Sequence, residues 1–257
     1  MRFASLGSGS KGNGTLVAST QGMLLVDCGF SAKETEIRLQ RLGVSPDDLS
    51  AILVTHEHGD HVRGVGPLAR RYSLPVYATP GSFLGMESAR YDAWGCACEE
   101  VQPGRPFDVA GVCCMPVAVP HNARQPCQYV FESGKRVLGV LTDLGSVTRH
   151  VIEGFSECDG LLLECNHDLE MLIKGPYTPS LKRRVAGEHG HLSNEQAAAL
   201  LAQCNIDRLQ HLVLMHLSEQ NNTPAHAHGC ISSVMEHGLE RIKVAGQGTG
   251  LDWLELV

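Results

Sequence analysis

Short apolar runs recur along the chain, and most of them end close to a polar side chain. The main runs are residues 23–26, 51–54, 112–119, 136–141, 161–163 and 212–214. Their short length is typical of buried β-strands rather than of helices. The side chains that follow them include Asp27, His56, His121, Asp143, Glu164 and His216. Because a layered core gathers strand ends along one edge, we expect these side chains to lie near one another.

Two stretches predict β-hairpins. Residues 7–14 contain four glycines and join the apolar runs 3–6 and 15–18. The G-x-x-x-x-G-K-[ST] order of a phosphate-binding loop is absent, so a hairpin connection is the better interpretation. From this loop Ser10 or Asn13 would reach a bound substrate. A second hairpin is predicted around residues 133–135.

Capping patterns mark two helices. Ser31 and Glu34 have the spacing of a capping box and predict a helix that ends near Leu42. Ser193 and Gln196 have the same spacing and predict a helix ending near residues 202–204. His191 therefore lies just before a helix N-terminus.

Weaker patterns cover the rest of the chain. A short helix is predicted over residues 65–72. Residues 80–105 show no clear period, and we expect loops there with at most one short helix. Residues 231–257 are expected to form a helix and one or two closing strands. The alternation of strands and helices favours an α/β (α+β) protein with two sheets packed face to face, in a single domain spanning residues 1–257.

Composition excludes several classes of protein. The 257 residues have 43% apolar content, 19% charged content and a net charge of -7, which argues against a broad basic coat for nucleic acid but not against a local basic groove. No segment approaches the roughly 20 apolar residues of a membrane span, and the N-terminus lacks a signal peptide's apolar core. The ten cysteines form no C-x-x-C pair. We expect a cytoplasmic protein without a membrane partner.

The most informative stretch is residues 55–61, with the order T-H-E-H-G-D-H. Alternate side chains of a strand point to opposite faces, so His56, His58 and Asp60 converge only if the chain turns just after Val54. Imidazole nitrogens and a carboxylate suit zinc, manganese or iron. An H-x-H-x-D-H string at a strand end is far more specific than a single histidine, and it predicts a metal site.

This motif resembles that of the metallo-β-lactamase superfamily. The similarity covers essentially the whole chain, in the order Asp27, the H-x-H-x-D-H string, His121, Asp143 and His216. It looks closest to the WalJ (YycJ)-like branch, which is supported by residues 8–13, 164–168, 190–195 and 215–224. The resemblance implies a four-layer αββα sandwich.

The resemblance also implies a ligand set for two divalent metal ions, with zinc and manganese as the first candidates and iron as the third. The first ion would be held by His56, His58 and His121. The second would be held by Asp60, His61 and His216, with Asp143 bridging the two. Asp27 either orients a metal-binding histidine or is a turn aspartate before Gly29, and the pattern alone leaves both interpretations open.

The implied activity is that of a dinuclear hydrolase, most directly a phosphodiesterase or nuclease, with a DNA exonuclease favoured. A metal-bridging hydroxide would attack phosphorus, and Asp60, His191 and Glu164 are the expected catalytic residues. His191 would protonate the leaving oxygen, and Glu164 would orient it. Candidate phosphate contacts, or else parts of a solvated charged face, are Arg124, Lys182, Arg183 and Arg184.

Three alternatives stay open from the sequence. One is a glyoxalase-type hydrolase of thioesters or lactones, although the residues after His216 are too few for its usual helical extension. Another is a phosphodiesterase for small cyclic substrates. The third is a non-catalytic metal-binding protein, which the complete ligand set disfavours because structural sites are closed. The oligomeric state is not predicted.

Overall fold

The computed structural model describes residues 1–86, 96–235 and 237–257. In these residues the strands, in chain order, are β1 (Arg2–Gly7), β2 (Gly14–Ala18), β3 (Met23–Val26), β4 (Leu49–Leu53), β5 (Val76–Ala78), β6 (Cys98–Glu100), β7 (Phe107–Val109), β8 (Val112–Ala118), β9 (Cys127–Ser133), β10 (Arg136–Leu141), β11 (Gly160–Glu164), β12 (His211–Met215), β13 (Ile242–Val244) and β14 (Leu251–Glu255). The helices are α1 (Ala32–Arg41), α2 (Gly59–Val62), α3 (Val65–Tyr72), α4 (Pro80–Gly85), α5 (Arg149–Phe155), α6 (Leu169–Lys174), α7 (Pro179–Val185), α8 (Asn194–Leu201) and α9 (Pro224–Ser232).

The strands form two mixed sheets. The first has the order β14-β1-β2-β3-β4-β5-β6, and the second has the order β13-β12-β11-β10-β9-β8-β7. In the first sheet β3 to β6 run parallel, and in the second β10 to β13 run parallel. Both predicted hairpins are confirmed, since β1 pairs with β2 and β9 with β10 in antiparallel register.

Alternating side chains build the layers. In β11, Leu162 packs into the cluster between the two sheets, while Leu161 and Leu163 pack against helices on the outer face. Strands buried on both faces are apolar throughout, which explains their continuous runs in the sequence. Helices α1 and α3 cover the first sheet, and α5, α8 and α9 cover the second. The expected αββα sandwich is confirmed.

The predicted helix termini mostly match the structure. Helix α3 has the predicted bounds, and α8 begins with a complete capping box between Ser193 and Gln196. At α1 the Ser31 hydroxyl accepts from the Glu34 amide as predicted, but the Glu34 carboxylate pairs with Arg38, one helical turn further on. A side chain of this length reaches either partner, and the cation offers the stronger hydrogen bond.

Other segments differ from the expectations. The helix expected after Ile231 begins earlier, at Pro224, because Thr223 caps it and proline is well suited to a first helical position. Two strands, β13 and β14, then follow as expected. Between residues 80 and 105 the described part contains α4 and also the edge strand β6, which was not predicted. Residues 87–95 lie outside the described residues.

The topology brings the polar strand ends to one edge. Strands β3, β4, β10, β11 and β12 point their carboxyl ends the same way within their sheets. Ligands bind at this edge in layered α/β proteins. None of the helices in the described ranges has the length and apolar character that a membrane crossing requires.

Candidate metal centre

The H-x-H-x-D-H string changes direction directly after β4, as the sequence required. His56 follows the strand, His58 is the N-cap of the short helix α2, and Asp60 and His61 lie within that helix. The turn gathers the four side chains at the sheet edge, where His121, Asp143 and His216 follow β8, β10 and β12. All seven side chains predicted as ligands therefore meet in one place.

Three imidazoles form the first group. His56 Nε2 lies 3.0 Å from His58 Nδ1, and His121 Nε2 lies 3.4 Å from the same atom. His56 and His121 are buried, and His58 is half-buried at the rim. Three ring nitrogens this close, all facing one point, match the donor set that a divalent cation requires.

Asp60, His61 and His216 form the second group. Asp60 Oδ2 lies 3.7 Å from both His61 Nε2 and His216 Nε2. The two rings are buried, whereas the Asp60 side chain is 24% exposed. This group therefore opens toward solvent on the carboxylate side, and its donor atoms also suit a divalent cation.

Asp143 lies between the two groups. Its Oδ2 is 3.2 Å from His61 Nε2, and its Oδ1 is 3.9 Å from His121 Nε2 and 3.8 Å from His216 Nε2. Among the described residues, Asp143 Oδ2 and His216 Nε2 are buried without a hydrogen-bond partner. Buried polar atoms without partners are costly, and a cation between these atoms would satisfy both.

The ring nitrogens that face away from the centre are hydrogen-bonded to the surrounding chain. His58 Nε2 donates to the Asn122 carbonyl at 3.2 Å, and His121 Nδ1 donates to the Gly190 carbonyl at 2.9 Å. A carbonyl only accepts, so these nitrogens carry the proton and the inward nitrogens have free lone pairs. Such outer partners fix the tautomer and ring orientation of metal-binding histidines.

Asp27 plays the same part for His61. Its Oδ2 lies 2.7 Å from His61 Nδ1, and its two oxygens also accept from the amide and the hydroxyl of Thr55. The Thr55 hydroxyl in turn lies 2.9 Å from His56 Nδ1. Of the two interpretations of Asp27, the structure supports orientation of a histidine. Thr55 was not recognised from the sequence, because a threonine before the motif carries no separate signal.

The carboxylates and imidazoles of the centre shift one another's pKa values. Burial opposes ionisation of Asp143, but the His216 and His61 imidazoles outweigh it and hold the pKa of this carboxyl well below its usual range. Against the effect of burial, Asp143 and Asp60 raise the pKa of His216 to about 9. Burial lowers the pKa of His121 to about 4. The protein therefore concentrates ionised and neutral donors that a cation would stabilise.

His191 and Glu164 form a pair beside this centre. His191 Nδ1 lies 2.6 Å from Glu164 Oε1, and the other Glu164 oxygen accepts from the amides of Leu144 and Leu192. Glu164 is fully buried, while the His191 side chain is 23% exposed to the cavity. These two residues also form a possible ligand group with Asp143 and His216, but a cation there would replace the short His191–Glu164 hydrogen bond.

The glycine-rich loop between β1 and β2 contacts two of the candidate ligands, His61 and His216. The Ser8 hydroxyl accepts from the His216 amide at 2.8 Å, and the Asn13 side chain contacts His61 Nε2 at 3.0 Å. Of the two residues expected to reach a substrate, Ser10 lines the cavity, whereas Asn13 contacts the histidine instead. Neither Ser8 nor the cavity residue Asn166 was singled out in the sequence.

A cavity of about 460 Å³ opens above the centre. Asp60, Asp143, His191 and His216 lie in its wall, so the cavity gives direct access to the candidate ligands. Of the four basic side chains predicted to contact phosphate, Arg184 alone is among the lining residues; Arg124, Lys182 and Arg183 are not.

Comparison with known proteins agrees with this geometry. A family described as the beta-lactamase superfamily domain matches residues 23–217. The chain is similar to exodeoxyribonuclease YycJ of Bacillus anthracis, with 36% identity over 92% of this chain and 89% of the relative. It is also similar to exodeoxyribonuclease WalJ of Streptococcus pneumoniae serotype 2, with 33% identity over 98% of this chain and 92% of the relative.

A solved structure shares the fold. The metallo-beta-lactamase fold protein YhfI from Bacillus subtilis superposes with a TM-score of 0.75 over 99% of both chains, at 19% sequence identity. At that identity the similarity shows the fold alone. The two sequence relatives show the branch of the superfamily. The chain belongs to the beta-lactamase superfamily and, within it, to the branch of the YycJ and WalJ proteins.

Proposed function

We propose that this protein is a metal-dependent exodeoxyribonuclease that holds two divalent cations at the candidate centre. The observation that carries the proposal is the direction of the ring nitrogens. The inward nitrogens of His61, His121 and His216 lie 3.2, 3.9 and 3.8 Å from Asp143 oxygens. The outward nitrogens of His58, His61 and His121 are hydrogen-bonded to the surrounding chain. A closed structural site would need only one cation and no cavity. Two relatives that align along nearly their whole length are named exodeoxyribonucleases, which supports DNA as the substrate.

The residues divide between the two cations. His56, His58 and His121 would hold the first, and Asp60, His61 and His216 would hold the second, with Asp143 shared between them. Zinc and manganese both suit these nitrogen and oxygen donors, and iron is a further possibility. When bound, such cations supply a strongly nucleophilic water and offset the charge of the phosphoryl oxygens.

His191 and Glu164 complete the chemistry. His191 donates a proton to the leaving sugar oxygen from the nitrogen that faces the cavity, because its Nδ1 is engaged by Glu164. Glu164 fixes the orientation of the ring. The Leu144 and Leu192 amides hold the Glu164 carboxylate in place. Proton donation of this kind typically contributes about 10²–10⁴-fold to rate.

The candidate ligands of the centre follow strands of both sheets, so the two sheets build one site. We therefore propose that residues 1–257 act as a single domain. A cytoplasmic location remains our prediction from the sequence.

The experiment compares four substrates with protein reconstituted with zinc or manganese. We expect release of nucleotides from an end of labelled DNA, slower or no cleavage of RNA, cleavage of bis-p-nitrophenyl phosphate, and no hydrolysis of a thioester. Asp143→Asn should abolish DNA cleavage, since the amide cannot bridge two cations as a carboxylate does. Hydrolysis of the thioester alone would point to a glyoxalase-type activity and contradict the proposal.

A further inference from the structure

Helix α7 forms one wall of the cavity above the centre. Tyr177 precedes the helix, and Leu181, Arg184 and Val185 follow at spacings of four, seven and eight residues. Leu181, Arg184 and Val185 have the spacing of one helix face, and Tyr177, which lies outside the helix, lines the same cavity. The α7 face, as we call Tyr177, Leu181 and Arg184, thus presents an aromatic, an aliphatic and a cationic side chain to the same space.

Arg184 is distinguished from its two basic neighbours by this geometry. Lys182 and Arg183 belong to the same turn, but they do not line the cavity, and the Lys182 amine donates to the Ile173 carbonyl. In the described part of the chain, no ion pair joins Arg184 to a carboxylate. Its guanidinium therefore stands at the rim with its donors available to a ligand.

The position of α7 is fixed relative to the catalytic residues. The His191 amide donates to the Val185 carbonyl at 2.8 Å, and the Gly190 carbonyl accepts from His121 Nδ1 at 2.9 Å. A Cβ on Gly190 would lie 2.2 Å from the carbonyl oxygens of Arg184 and Val185, so the glycine permits this close approach. The wall and the centre are thus linked through two successive residues, Gly190 and His191.

We propose that the α7 face binds the single-stranded end of the DNA substrate, with Arg184 on a phosphate next to the scissile one and Tyr177 against a base. This inference rests on the proposed nuclease function and extends it to substrate positioning. A planar guanidinium donates two parallel hydrogen bonds to a phosphate, and aromatic rings stack on bases of any sequence.

The shape of the cavity favours a single strand. A volume of about 460 Å³ is in the range of small-ligand pockets, which accommodates a terminal nucleotide rather than a duplex. Asp60 and Asp143 of the centre and the exposed Arg184 line the same cavity, so a strand held at the centre would bring a second phosphate toward Arg184.

Arg184→Ala and Arg183→Ala make a matched pair of variants. Both remove one positive charge from α7, so their long-range electrostatic effects are the same, but only Arg184 lines the cavity. We expect Arg184→Ala to raise KM for single-stranded DNA roughly 10- to 100-fold with little change in kcat, the loss typical of a charged hydrogen bond. Arg183→Ala should change KM less than about threefold. Arg183→Ala should leave cleavage of bis-p-nitrophenyl phosphate unchanged, and Arg184→Ala should lose much less on this ester than on DNA, because the ester lacks a neighbouring phosphate.

A second readout is the equilibrium binding of a fluorescent phosphorothioate oligonucleotide. Arg184→Ala should weaken binding and reduce the slope of log K against log salt by about 0.7, the value for one phosphate contact on a single strand. Tyr177→Ala should weaken binding about fivefold or more, whereas Tyr177→Phe should keep it, since the ring and not the hydroxyl stacks.

The outcomes separate the two proposals. If the metal-loaded wild-type protein cleaves DNA and the two arginine variants behave alike, the α7 face is not the substrate-binding surface. Equal losses on DNA and on bis-p-nitrophenyl phosphate in Arg184→Ala would also overturn the inference, because they would indicate damage to the centre. If the wild-type protein cleaves bis-p-nitrophenyl phosphate but not DNA, the proposed nuclease function fails, and this inference fails with it.

Discussion

At the scale of single residues, the hydrogen bonds of the outer nitrogens of His58 and His121 determine the state of their inner nitrogens. His58 and His121 each donate to a backbone carbonyl, which leaves one lone pair directed at the centre. His191 differs, because its partner is the buried carboxylate of Glu164 and its ring borders the cavity. This partner fixes the orientation of the ring and suits the proton-donor role that we propose for His191.

His191→Ala tests this difference. An alkoxide leaving group needs a proton in the transition state, whereas p-nitrophenolate hardly does. We therefore expect the variant to slow DNA cleavage by roughly 10²–10⁴-fold while affecting p-nitrophenyl esters much less. Glu164→Gln should show the same pattern more weakly. The measurement is kcat/KM on both substrates.

Metal content is the control for these variants. Both should retain the metal of the wild-type protein, because neither side chain belongs to the two proposed ligand groups. Loss of metal in His191→Ala would show that His191 is a ligand, as its proximity to Asp143 and His216 permits. Equal losses on both substrates with metal retained would indicate a role in positioning the substrate.

Asp143 and Asp27 provide a second comparison at this scale. Asp143 faces both groups of donors, whereas Asp27 contacts one proposed ligand, His61, at its outer nitrogen, and otherwise contacts Thr55. Asp143→Ala should therefore lose more metal and more activity than Asp27→Ala, as measured by elemental analysis and DNA cleavage. Equal metal content and equal rates in the two variants would remove Asp143 from its proposed bridging position.

At the scale of elements, the centre depends on tight turns directly after the strands. Asp27 after β3 and His216 after β12 have φ values of 61° and 54°. These values lie in the left-handed region of backbone conformation, which residues other than glycine rarely adopt. Such conformations cost about 1–3 kcal/mol each and persist where surrounding contacts fix them. Here the contacts are those of Asp27 with Thr55 and His61, and of the His216 amide with Ser8.

Gly29 shows how closely these turns pack. A Cβ at this position would lie 1.7 Å from the Asp60 carbonyl oxygen, so Gly29→Ala must separate the end of β3 from α2. We expect a loss of about 1–3 kcal/mol or more in the free energy of unfolding, the usual cost of overpacking. Chemical denaturation of the metal-loaded protein measures this quantity.

Gly59 is the matched control. It lies in α2, and a Cβ there would meet no atom within 4 Å. Since alanine is the better helix former, Gly59→Ala should leave stability unchanged or raise it by up to about 1 kcal/mol. If Gly29→Ala were as stable as Gly59→Ala, the close contact between β3 and α2 would not contribute as described.

The elements that the sequence predicted well are those with strong local signals. Buried strands and capped helices such as α8 depend on apolar runs and capping residues that lie close together in the chain. The edge strand β6 has two exposed residues, so no apolar pattern marked it. Helices α6 and α7 are short and lie in a segment broken by glycine and proline, where local propensity is weak.

The same distinction applies to the site. The metal site was predicted because the residue types and spacing of the H-x-H-x-D-H string are specific to metal chemistry, and the full ligand set was implied by the family resemblance. The outer partners of the ligands were not predicted, because the carbonyls of Asn122 and Gly190 belong to the backbone and carry no residue signal. The cavity wall on α7 depends on how a distant segment packs, which sequence spacing alone does not determine.

At the scale of the whole molecule, the net charge of -7 opposes binding of a polyanion. Attraction must come from the cations of the centre and a few local side chains. We expect DNA binding to weaken as salt rises, with a shallow slope of log K against log salt that corresponds to about two to four phosphate contacts. Fluorescence anisotropy over a salt series measures it, and binding independent of salt would favour a small neutral substrate.

The most direct test of the central claim is a metal titration of protein freed of metal by chelation, with bound metal and DNA cleavage measured in the same samples. Because two groups of donors share Asp143, we predict that activity is negligible without metal and rises to a plateau at two equivalents of bound cation. Full activity at one equivalent, or cleavage by the chelated protein, would contradict the account.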